Sequence, residues 1–305
     1  MRSRLRRVIL HPGLHKTGSS VVQYTLAASR GLLPRRCGFV PLSEIHRAAQ
    51  PLLRAAWDNP GETEPRDALR ACLRGLADSA ARPEVLLSYE GMPGRPHTAY
   101  AEATHTVPIL AEAFDGLDVR VLLDVKRQDR FFESLYLQHI QMGRDDRDFT
   151  PWFSSVIAPK IDAGGFDWLR LVEHFAGAFG ADRVRVRPFM LPQIGAQAHV
   201  RRFLADIGHP TRASFDIPQN TNQSYSAKAL EIARAVNHLL EEGERKDLRL
   251  FLRRRFATPR YQKPVLLDDE TRASIVADYA DSNAELTRRF MHGSDAQEPW
   301  HAADA

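Results

Sequence analysis

One stretch near the amino terminus has the residue types of a phosphate-binding loop in an unusual order. The stretch reads HPGLHKTGSS and ends at Ser20. Gly13 and Gly18 have the spacing of the G-x-x-x-x-G-K-[ST] loop, and Ser20 supplies its final hydroxyl. Ser19 occupies the position of the lysine, however, and Lys16 comes two residues before the second glycine. The stretch predicts an anion site with a displaced lysine.

A structural interpretation without a ligand is also open. A strand, a turn and a helix capped by the box Ser20-Val-Val-Gln23 would explain Gly18 and Ser20, but not Lys16. In a Walker loop the lysine reaches the β- and γ-phosphates, and the following hydroxyl binds Mg²⁺. A lysine before the turn would lie nearer the strand end. There it would meet the group that leaves or arrives at the 5′ end of a nucleotide.

Alternating strands and helices are predicted to hold this loop. Four β-branched runs predict strands at Val8–Leu10, Val85–Tyr89, Val119–Val125 and Val184–Arg187. Helical periodicity occupies residues 21–33, 65–80, 101–114, 130–142, 166–179, 198–207, 227–241 and 269–290. This alternation predicts an α/β fold with a mostly parallel central sheet flanked by helices. Ligands of such sheets bind at the carboxyl ends of the strands.

Two stretches show neither pattern. Residues 41–64 are rich in Pro, Asn and Gly and predict an excursion from the core. Residues 144–165 mix charges, aromatic residues, prolines and glycines, which is typical of a substrate-binding loop. We expect residues 1–292 to form a single domain and residues 293–305 to be a disordered tail.

The composition is that of a globular protein. Of the 305 residues, 43% are hydrophobic and 26% are charged. The net charge of +4 suits an anionic small molecule or an acidic polymer, but it is too weak to predict nucleic-acid binding. The two cysteines, Cys37 and Cys72, have no metal-ligand spacing and predict reduced thiols in a cytoplasmic protein. The apolar run before His11 is too short for a signal peptide, and no transmembrane segment is expected.

The displaced lysine resembles one known arrangement. GLHKTGSS is similar to the G-x-H-K-T-G-[ST]-[ST] loop of bacterial sulfotransferases, which use 3′-phosphoadenosine 5′-phosphosulfate (PAPS). The segments VRVRPFM, RRFLADIGHP, NQSYSAKALEIARAVN and YADSNAELTRRF extend a softer likeness over most of the chain. The resemblance implies the P-loop-like sulfotransferase fold, PAPS as the donor co-substrate, and no metal. It assigns binding of the 5′-phosphosulfate to Lys16, Thr17, Gly18, Ser19 and Ser20.

The resemblance also implies a site for the 3′-phosphate. In the family, an arginine after a central strand and a serine on the next helix hold this group. Here VKRQDRFFESLYLQHI supplies Arg127 and Ser134. Their spacing is seven, whereas eight is common in other branches, and Lys126 stands at eight. Either Lys126 or Arg127 could therefore hold the phosphate, and we expect Asp124 and Asp129 to orient these cations.

Sulfuryl transfer is an in-line displacement, and a base near the nucleophile helps it. Glu90 ends the second predicted strand at the sheet edge that carries the loop, and it is the first candidate. It could equally be a strand-end carboxylate paired to an arginine. His15, beside Lys16, is the rival base, whereas His11 is expected to be a structural strand residue. Trp152 and Phe153 offer flat apolar area for an acceptor or, alternatively, pin their segment to the core.

The resemblance predicts transfer of a sulfuryl group from PAPS to a hydroxyl or amine, which leaves 3′,5′-ADP. The acceptor could be a carbohydrate, a lipid-linked glycan or a small metabolite. A nucleotide or small-molecule kinase with a degenerate P-loop is an alternative, and it would depend on Mg²⁺. A non-catalytic nucleotide-binding protein is a second alternative. The oligomeric state is not predicted.

Overall fold

Five short strands form a parallel sheet. They are β1 Arg7–His11, β2 Cys37–Val40, β3 Glu84–Ser88, β4 Asp118–Val125 and β5 Val184–Pro188. The computed structural model describes residues 5–218, 224–258, 260–297 and 300. In this part of the chain the sheet order is β2-β3-β1-β4-β5, and every neighbouring pair is parallel. The α/β fold with a parallel central sheet flanked by helices is confirmed.

Helices connect the strands and make up most of the remaining chain. Within the described ranges the α-helices are α1 Ser19–Ala28, α2 Leu42–Ala48, α3 Gln50–Asp58, α4 Thr63–Ser79, α5 Ala103–Ala113, α6 Gln128–Gln141, α7 Phe149–Trp152, α8 Ala158–Asp162, α9 Trp168–Phe179, α10 Leu191–Asp206, α11 Ala227–Val236, α12 Glu242–Arg255, α13 Asp269–Asp278, α14 Ala280–Phe290 and α15 Ser294–Gln297. Short 3₁₀ turns lie at Arg30–Leu32, Pro96–Thr98, Ala181–Arg183 and Asn237–Leu239. None of the described helices is long and apolar enough to cross a membrane.

Apolar side chains bury both faces of the sheet. On one face, Ile9, Leu86 and Leu122 of three neighbouring strands form a cluster with Val22 of α1 and Phe203 of α10. Successive strand residues point to opposite faces. The alternate residues are also fully buried: Val8, Leu10, Val85, Leu87 and Leu123. Burial on both faces explains the apolar runs in the central strands β1 and β3.

The path of the chain places β1 at the centre of the sheet. After β1 the chain goes out to the edge strand β2 and returns to β3. It then crosses β1 to reach β4 and β5. In open α/β sheets, ligands bind outside the carboxyl ends of the strands, where the strand order reverses. The loop that follows β1 therefore lies where this architecture binds ligands.

The chain divides into two compact units. The first comprises Met1–Lys126, Asp167–Gln219 and Asp281–Trp300 and holds the whole sheet. The second comprises Arg127–Phe166, Asn220–Ala280 and His301–Ala305, and its described part is mainly helical. In its aromatic core the ring centres of Phe132 and Phe166 lie 4.9 Å apart, and those of Tyr136 and Trp152 lie 5.3 Å apart. A single domain over residues 1–292 stays a prediction.

The stretch 41–64 forms helices rather than an excursion. It contains α2, α3 and the start of α4, and Leu53 and Trp57 are buried. Its prolines mark helix starts: Pro41 directly precedes α2, and Pro51 lies in the first turn of α3. Proline suits the first helical turn because the N–H group that it lacks would have no partner inside the helix.

The edge strand β2 was also not predicted, since CGFV is short.

Later in the chain, two predictions need correction and one helix was not predicted. The segment 144–165, predicted to be irregular, contains α7, α8 and the π-helical turn Phe153–Ile157 that joins them. The helix predicted over 269–290 is two helices, α13 and α14. Helix α12 was missed because it is strongly charged. Its capping box of Glu241 and Glu244 and its arginine-rich last turn stabilise it instead.

The predicted disordered tail is partly described. Residues 294–297 form α15, in which the Asp295 carboxylate is buried and forms an ion pair with Arg185. Residues 298, 299 and 301–305 lie outside the described part of the chain.

Candidate active site

The loop between β1 and α1 is a tight turn that contains left-handed backbone. The Leu14 amide donates to the Asp124 carbonyl at 3.2 Å, and the Thr17 hydroxyl donates to the Leu14 carbonyl at 2.5 Å. Lys16 has φ 68° and Gly18 has φ 82°. Positive φ is uncommon for a residue with a side chain, and such strained backbone clusters at functional sites. The half-buried Lys16 is therefore held in an unusual conformation at the centre of the predicted anion site.

No side chain caps the amino terminus of α1, whose N-cap residue is Gly18. The capping box Ser20–Gln23, the alternative explanation of this stretch, is wrong. The Gln23 side chain donates from Nε2 to the Ser88 carbonyl at 3.1 Å and to Glu90 Oε2 at 3.2 Å. The first turn of a helix presents N–H groups without partners inside the helix and the positive end of its dipole, which together favour an anion.

Neighbouring side chains approach position 18 closely and disfavour any residue larger than glycine there. A Cβ atom on Gly18 would lie 3.1 Å from the Phe189 ring and 3.3 Å from His199 Nε2. His199, on α10, is buried, and this burial lowers its pKa to about 4, so the ring is neutral near pH 7. Its Nε2 atom has no hydrogen-bond partner among the described residues. The sequence offered no signal for His199, which approaches the loop only through the fold.

Glu90 follows the end of β3, next to the strand that carries the loop. It is half-buried, and its Oε2 atom accepts the hydrogen bond from Gln23. One expectation was that Glu90 pairs with an arginine. Among the described residues, Glu90 instead accepts this hydrogen bond from Gln23. Gln23 lies one turn into α1, so it joins the helix after the loop to the candidate base. The structure thus connects Glu90 to the same unit and the same sheet edge as Lys16.

His15 contacts a tyrosine that the sequence did not single out. The His15 backbone N–H donates to Tyr100 Oη at 3.0 Å, and its ring Nδ1 lies 3.1 Å from the same oxygen. Tyr100 is 2% exposed and has φ 61°. Its burial, together with the nearby negative charge of Glu90, raises the pKa of its hydroxyl, which stays neutral. Tyr100 therefore orients both the backbone and the ring of His15.

A buried ion pair lies beneath the carboxyl ends of β1, β4 and β5. Arg187 Nε donates to Asp124 Oδ1 at 2.7 Å, and His11 Nε2 lies 3.0 Å from Asp124 Oδ2. His11 Nδ1 lies 2.7 Å from Ser88 Oγ. Burial by itself would raise the pKa of Asp124, but Arg187 and His11 hold it well below its ordinary value. His11 is structural, as expected, and Asp124 orients Arg187, a residue that was not predicted.

The two residues predicted for the 3′-phosphate lie in the second unit. Arg127 is 7% exposed, and its Nε and Nη2 atoms donate to the two Asp129 oxygens at 2.7 and 3.0 Å. Arg272, which was not predicted, also donates to Asp129. The half-buried Ser134 donates from Oγ to the Arg130 carbonyl at 2.8 Å. Asp129 therefore orients Arg127, and phosphate binding by Arg127 and Ser134 stays a prediction.

Lys126, the alternative cation, belongs to the first unit. Its Nζ atom lies 5.0 Å from the centre of the Phe189 ring, and its carbonyl accepts from Trp168 Nε1 at 2.8 Å. These contacts do not decide between Lys126 and Arg127 as the phosphate ligand.

Trp152 does not offer the apolar surface that one expectation assigned to it. It is fully buried, and its Nε1 donates to His139 Nδ1 at 3.1 Å. The half-buried Phe153 contacts Phe132 and Phe149, with ring centres 5.7 Å apart in both pairs. Both aromatic residues anchor residues 144–165 to the core of the second unit. A role of this segment in substrate binding stays a prediction.

Comparisons with known proteins leave one informative likeness. No protein-family model matches the chain, and a comparison with curated proteins found no significant match. The structure is similar to that of a sulfotransferase from Alicyclobacillus acidocaldarius, with 13% sequence identity and a TM-score of 0.52. The match covers 96% of this chain and 99% of the other. At this identity the likeness concerns architecture, and we conclude that the chain has the fold of that sulfotransferase.

Proposed function

We propose that the protein transfers a sulfuryl group from PAPS to a hydroxyl or amine of an acceptor. The observation that carries the proposal is the loop after β1. There Lys16, in a left-handed backbone conformation, precedes a helix without a side-chain cap at the carboxyl edge of the sheet. The GLHKTGSS motif and the fold shared with a protein described as a sulfotransferase support it.

The loop would bind the 5′-phosphosulfate end of the donor. Backbone N–H groups from Thr17 to Ser20 would hold the 5′-phosphate, with the hydroxyls of Ser19 and Ser20 as further donors. The Thr17 hydroxyl proton already bonds to the Leu14 carbonyl, so Thr17 also shapes the turn. Lys16 would stabilise the charge that grows on the leaving phosphate oxygen. Lys16 and the helix terminus supply the positive charge, so the reaction needs no metal ion.

Glu90 is the proposed base, and His15 is the alternative. The acceptor oxygen or nitrogen forms a bond to sulfur while the bond from sulfur to the 5′-phosphate oxygen breaks. The acceptor proton passes to the Glu90 carboxylate, and 3′,5′-ADP leaves. The hydrogen bond from Gln23 would aim the Glu90 carboxylate. His15, against Tyr100, would otherwise take the proton.

The remaining assignments rest on the motif resemblance. Arg127 and Ser134, or Lys126 in place of Arg127, would bind the 3′-phosphate. The acceptor would be a carbohydrate, a lipid-linked glycan or a small metabolite. A cytoplasmic location, which suits the free thiols of Cys37 and Cys72, is part of the proposal.

A thermal-shift panel tests donor identity. We expect 3′,5′-ADP and PAPS to stabilise the protein equally with and without Mg²⁺, and much more than 5′-AMP. A ligand at about 100 times its dissociation constant adds roughly 2.7 kcal/mol. Equal shifts from 5′-AMP and 3′,5′-ADP would remove the 3′-phosphate site. Larger, Mg²⁺-dependent shifts from ATP or GTP would favour the kinase alternative.

Release of 3′,5′-ADP from PAPS with a panel of acceptors then tests turnover. The variant Glu90→Gln should keep 3′,5′-ADP binding and lose transfer, since it removes the base and preserves size. Donor binding without turnover over all acceptors would favour the non-catalytic alternative.

A further inference from the structure

A second polar cluster lies at the opposite edge of the sheet in the first unit. Cys37 and Glu84 are the first residues of β2 and β3, and they are paired across the two strands. His209 follows α10, and its backbone N–H donates to the Leu204 carbonyl at 2.7 Å. The three residues are 7%, 5% and 7% exposed. Three separate segments thus bring a thiol, a carboxylate and an imidazole to one buried point.

The three ligand atoms are close enough to share one metal ion. They all lie within 4.8 Å of one another, and His209 Nε2 lies 2.5 Å from Glu84 Oε1. Zinc bonds of about 2.0–2.3 Å in a tetrahedron place ligands roughly 3.3–3.8 Å apart. Small side-chain movements would therefore reach that geometry. Thiolate and imidazole ligands select zinc-class ions over Mg²⁺ and Ca²⁺.

We propose that Cys37, Glu84 and His209 form a buried site for a zinc-class divalent ion, with a fourth ligand from solvent. Binding would tie the amino ends of β2 and β3 to the segment after α10. The Cys37 thiol would lose its proton to solvent as the sulfur–metal bond forms. The site is independent of the proposed sulfuryl transfer, because it lies at the other edge of the sheet and uses none of the same residues.

Two arginines lie beside the Glu84 carboxylate and orient it. Arg7 Nη1 and Arg36 Nε lie 3.9 and 4.0 Å from Glu84 Oε2, whereas Oε1 faces His209. The Arg7 and Arg36 side chains are 45% and 65% exposed, so they reach the carboxylate from the solvent side. They hold one oxygen and leave the other directed at the cluster. Burial, and after it the nearby charge of Glu84, raises the pKa of the Cys37 thiol to about 12.

Cobalt substitution of the full chain tests the site. Protein freed of metal with a chelator is titrated with Co²⁺, both folded and during refolding from denaturant. We expect one Co²⁺ per chain, with thiolate-to-cobalt charge-transfer absorption and the visible bands of tetrahedral Co²⁺. Zn²⁺ should displace the signal and raise Tm. Absence of the charge-transfer band under both conditions would overturn the proposal.

Variants assign the signal to the cluster. Cys37→Ser should abolish the band, and His209→Gln should weaken Co²⁺ binding at least about tenfold, since even partners outside the ligand shell have effects of that size. The matched control is Cys72→Ser, which should keep the band. The chain has two cysteines, so a band in Cys72→Ser assigns the thiolate to Cys37 even if Cys37→Ser does not fold. A band lost in Cys72→Ser would contradict the assignment.

Discussion

The two edges of the sheet in the first unit carry polar clusters of opposite character. At the carboxyl edge, the candidate groups Lys16, His15 and Glu90 are half-buried, and the charges beneath them are fully buried. Asp124 and Arg187 form the central ion pair of that support, and both are at most 2% exposed.

At the amino edge the arrangement of buried and exposed groups is reversed. Cys37, Glu84 and His209 are themselves buried, whereas the cations around them reach solvent. An edge whose support is buried can present polar groups to a substrate. An edge whose polar groups are buried leaves none of them accessible to a substrate. The comparison therefore predicts chemistry at the carboxyl edge and stabilisation at the amino edge.

Removing the buried charge beneath the carboxyl edge should have the largest effect. Among the described residues, Asp124→Asn leaves the buried Arg187 with Asp206 as its remaining charged partner, and breaking a buried pair costs about 3–5 kcal/mol. The control at the amino edge is Asp118→Asn, whose partly exposed ion pairs with Arg7 and Arg120 contribute about 0–1 kcal/mol. Urea unfolding at pH 7 measures both. Equal losses would show that the two edges do not differ in support.

Removing the loop lysine should affect turnover rather than fold. Lys16→Ala is expected to lower kcat about 100- to 1000-fold, because one group that stabilises developing charge has that effect. The affinity for 3′,5′-ADP should change much less, since the sulfuryl group is absent from that ligand. The assay is 3′,5′-ADP release from PAPS with an identified acceptor. An unchanged kcat would refute the role assigned to Lys16.

Acid should lower the stability of the fold, because His199 beside the loop is held neutral. Its folded pKa, about 4, lies below the unfolded value of about 6.5, so the unfolded chain takes up the proton first. The cost of keeping His199 neutral is absent above pH 6.5 and grows as the pH falls toward 4. Between pH 7 and 5 it should remove about 2 kcal/mol of stability. His199→Gln should lack this part of the acid loss. Parallel urea curves at both pH values for the two proteins would contradict it.

A methyl group on the loop glycine should have the smallest effect of these changes. Gly18→Ala combines φ 82° with contacts of 3.1 and 3.3 Å, so we expect a loss of somewhat more than 1 kcal/mol and weaker 3′,5′-ADP binding. The control is Gly177→Ala in α9, where nothing lies within 4 Å of the added atom and stability should rise by about 0.5–1 kcal/mol. Calorimetry and ligand titration measure the two effects. Full binding by Gly18→Ala would show that the loop tolerates a side chain.

Local patterns in the sequence were enough to predict four of the five described strands and the loop after β1. The runs that form β1 and β3 are apolar because both faces of the sheet are buried there. Glycine at position 18 reflects a backbone angle that residues with side chains rarely adopt. Such features depend on neighbours along the chain, so spacing reveals them. Local patterns gave the wrong structure around Pro41 and Pro51, where an irregular excursion was predicted and helices are found. Proline is common both in loops and in the first turn of helices.

Only the tertiary structure decided which distant side chains meet. The bond from Gln23 to Glu90 joins residues 67 positions apart, and His209 meets Glu84 over 125 positions. A capping box was the local expectation for Gln23, and a contact with the neighbouring strand end took its place. Burial of Trp152 was likewise settled by packing against Tyr136 and His139. Long-range contacts of this kind depend on strand order and helix packing, which leave no spacing pattern in the chain.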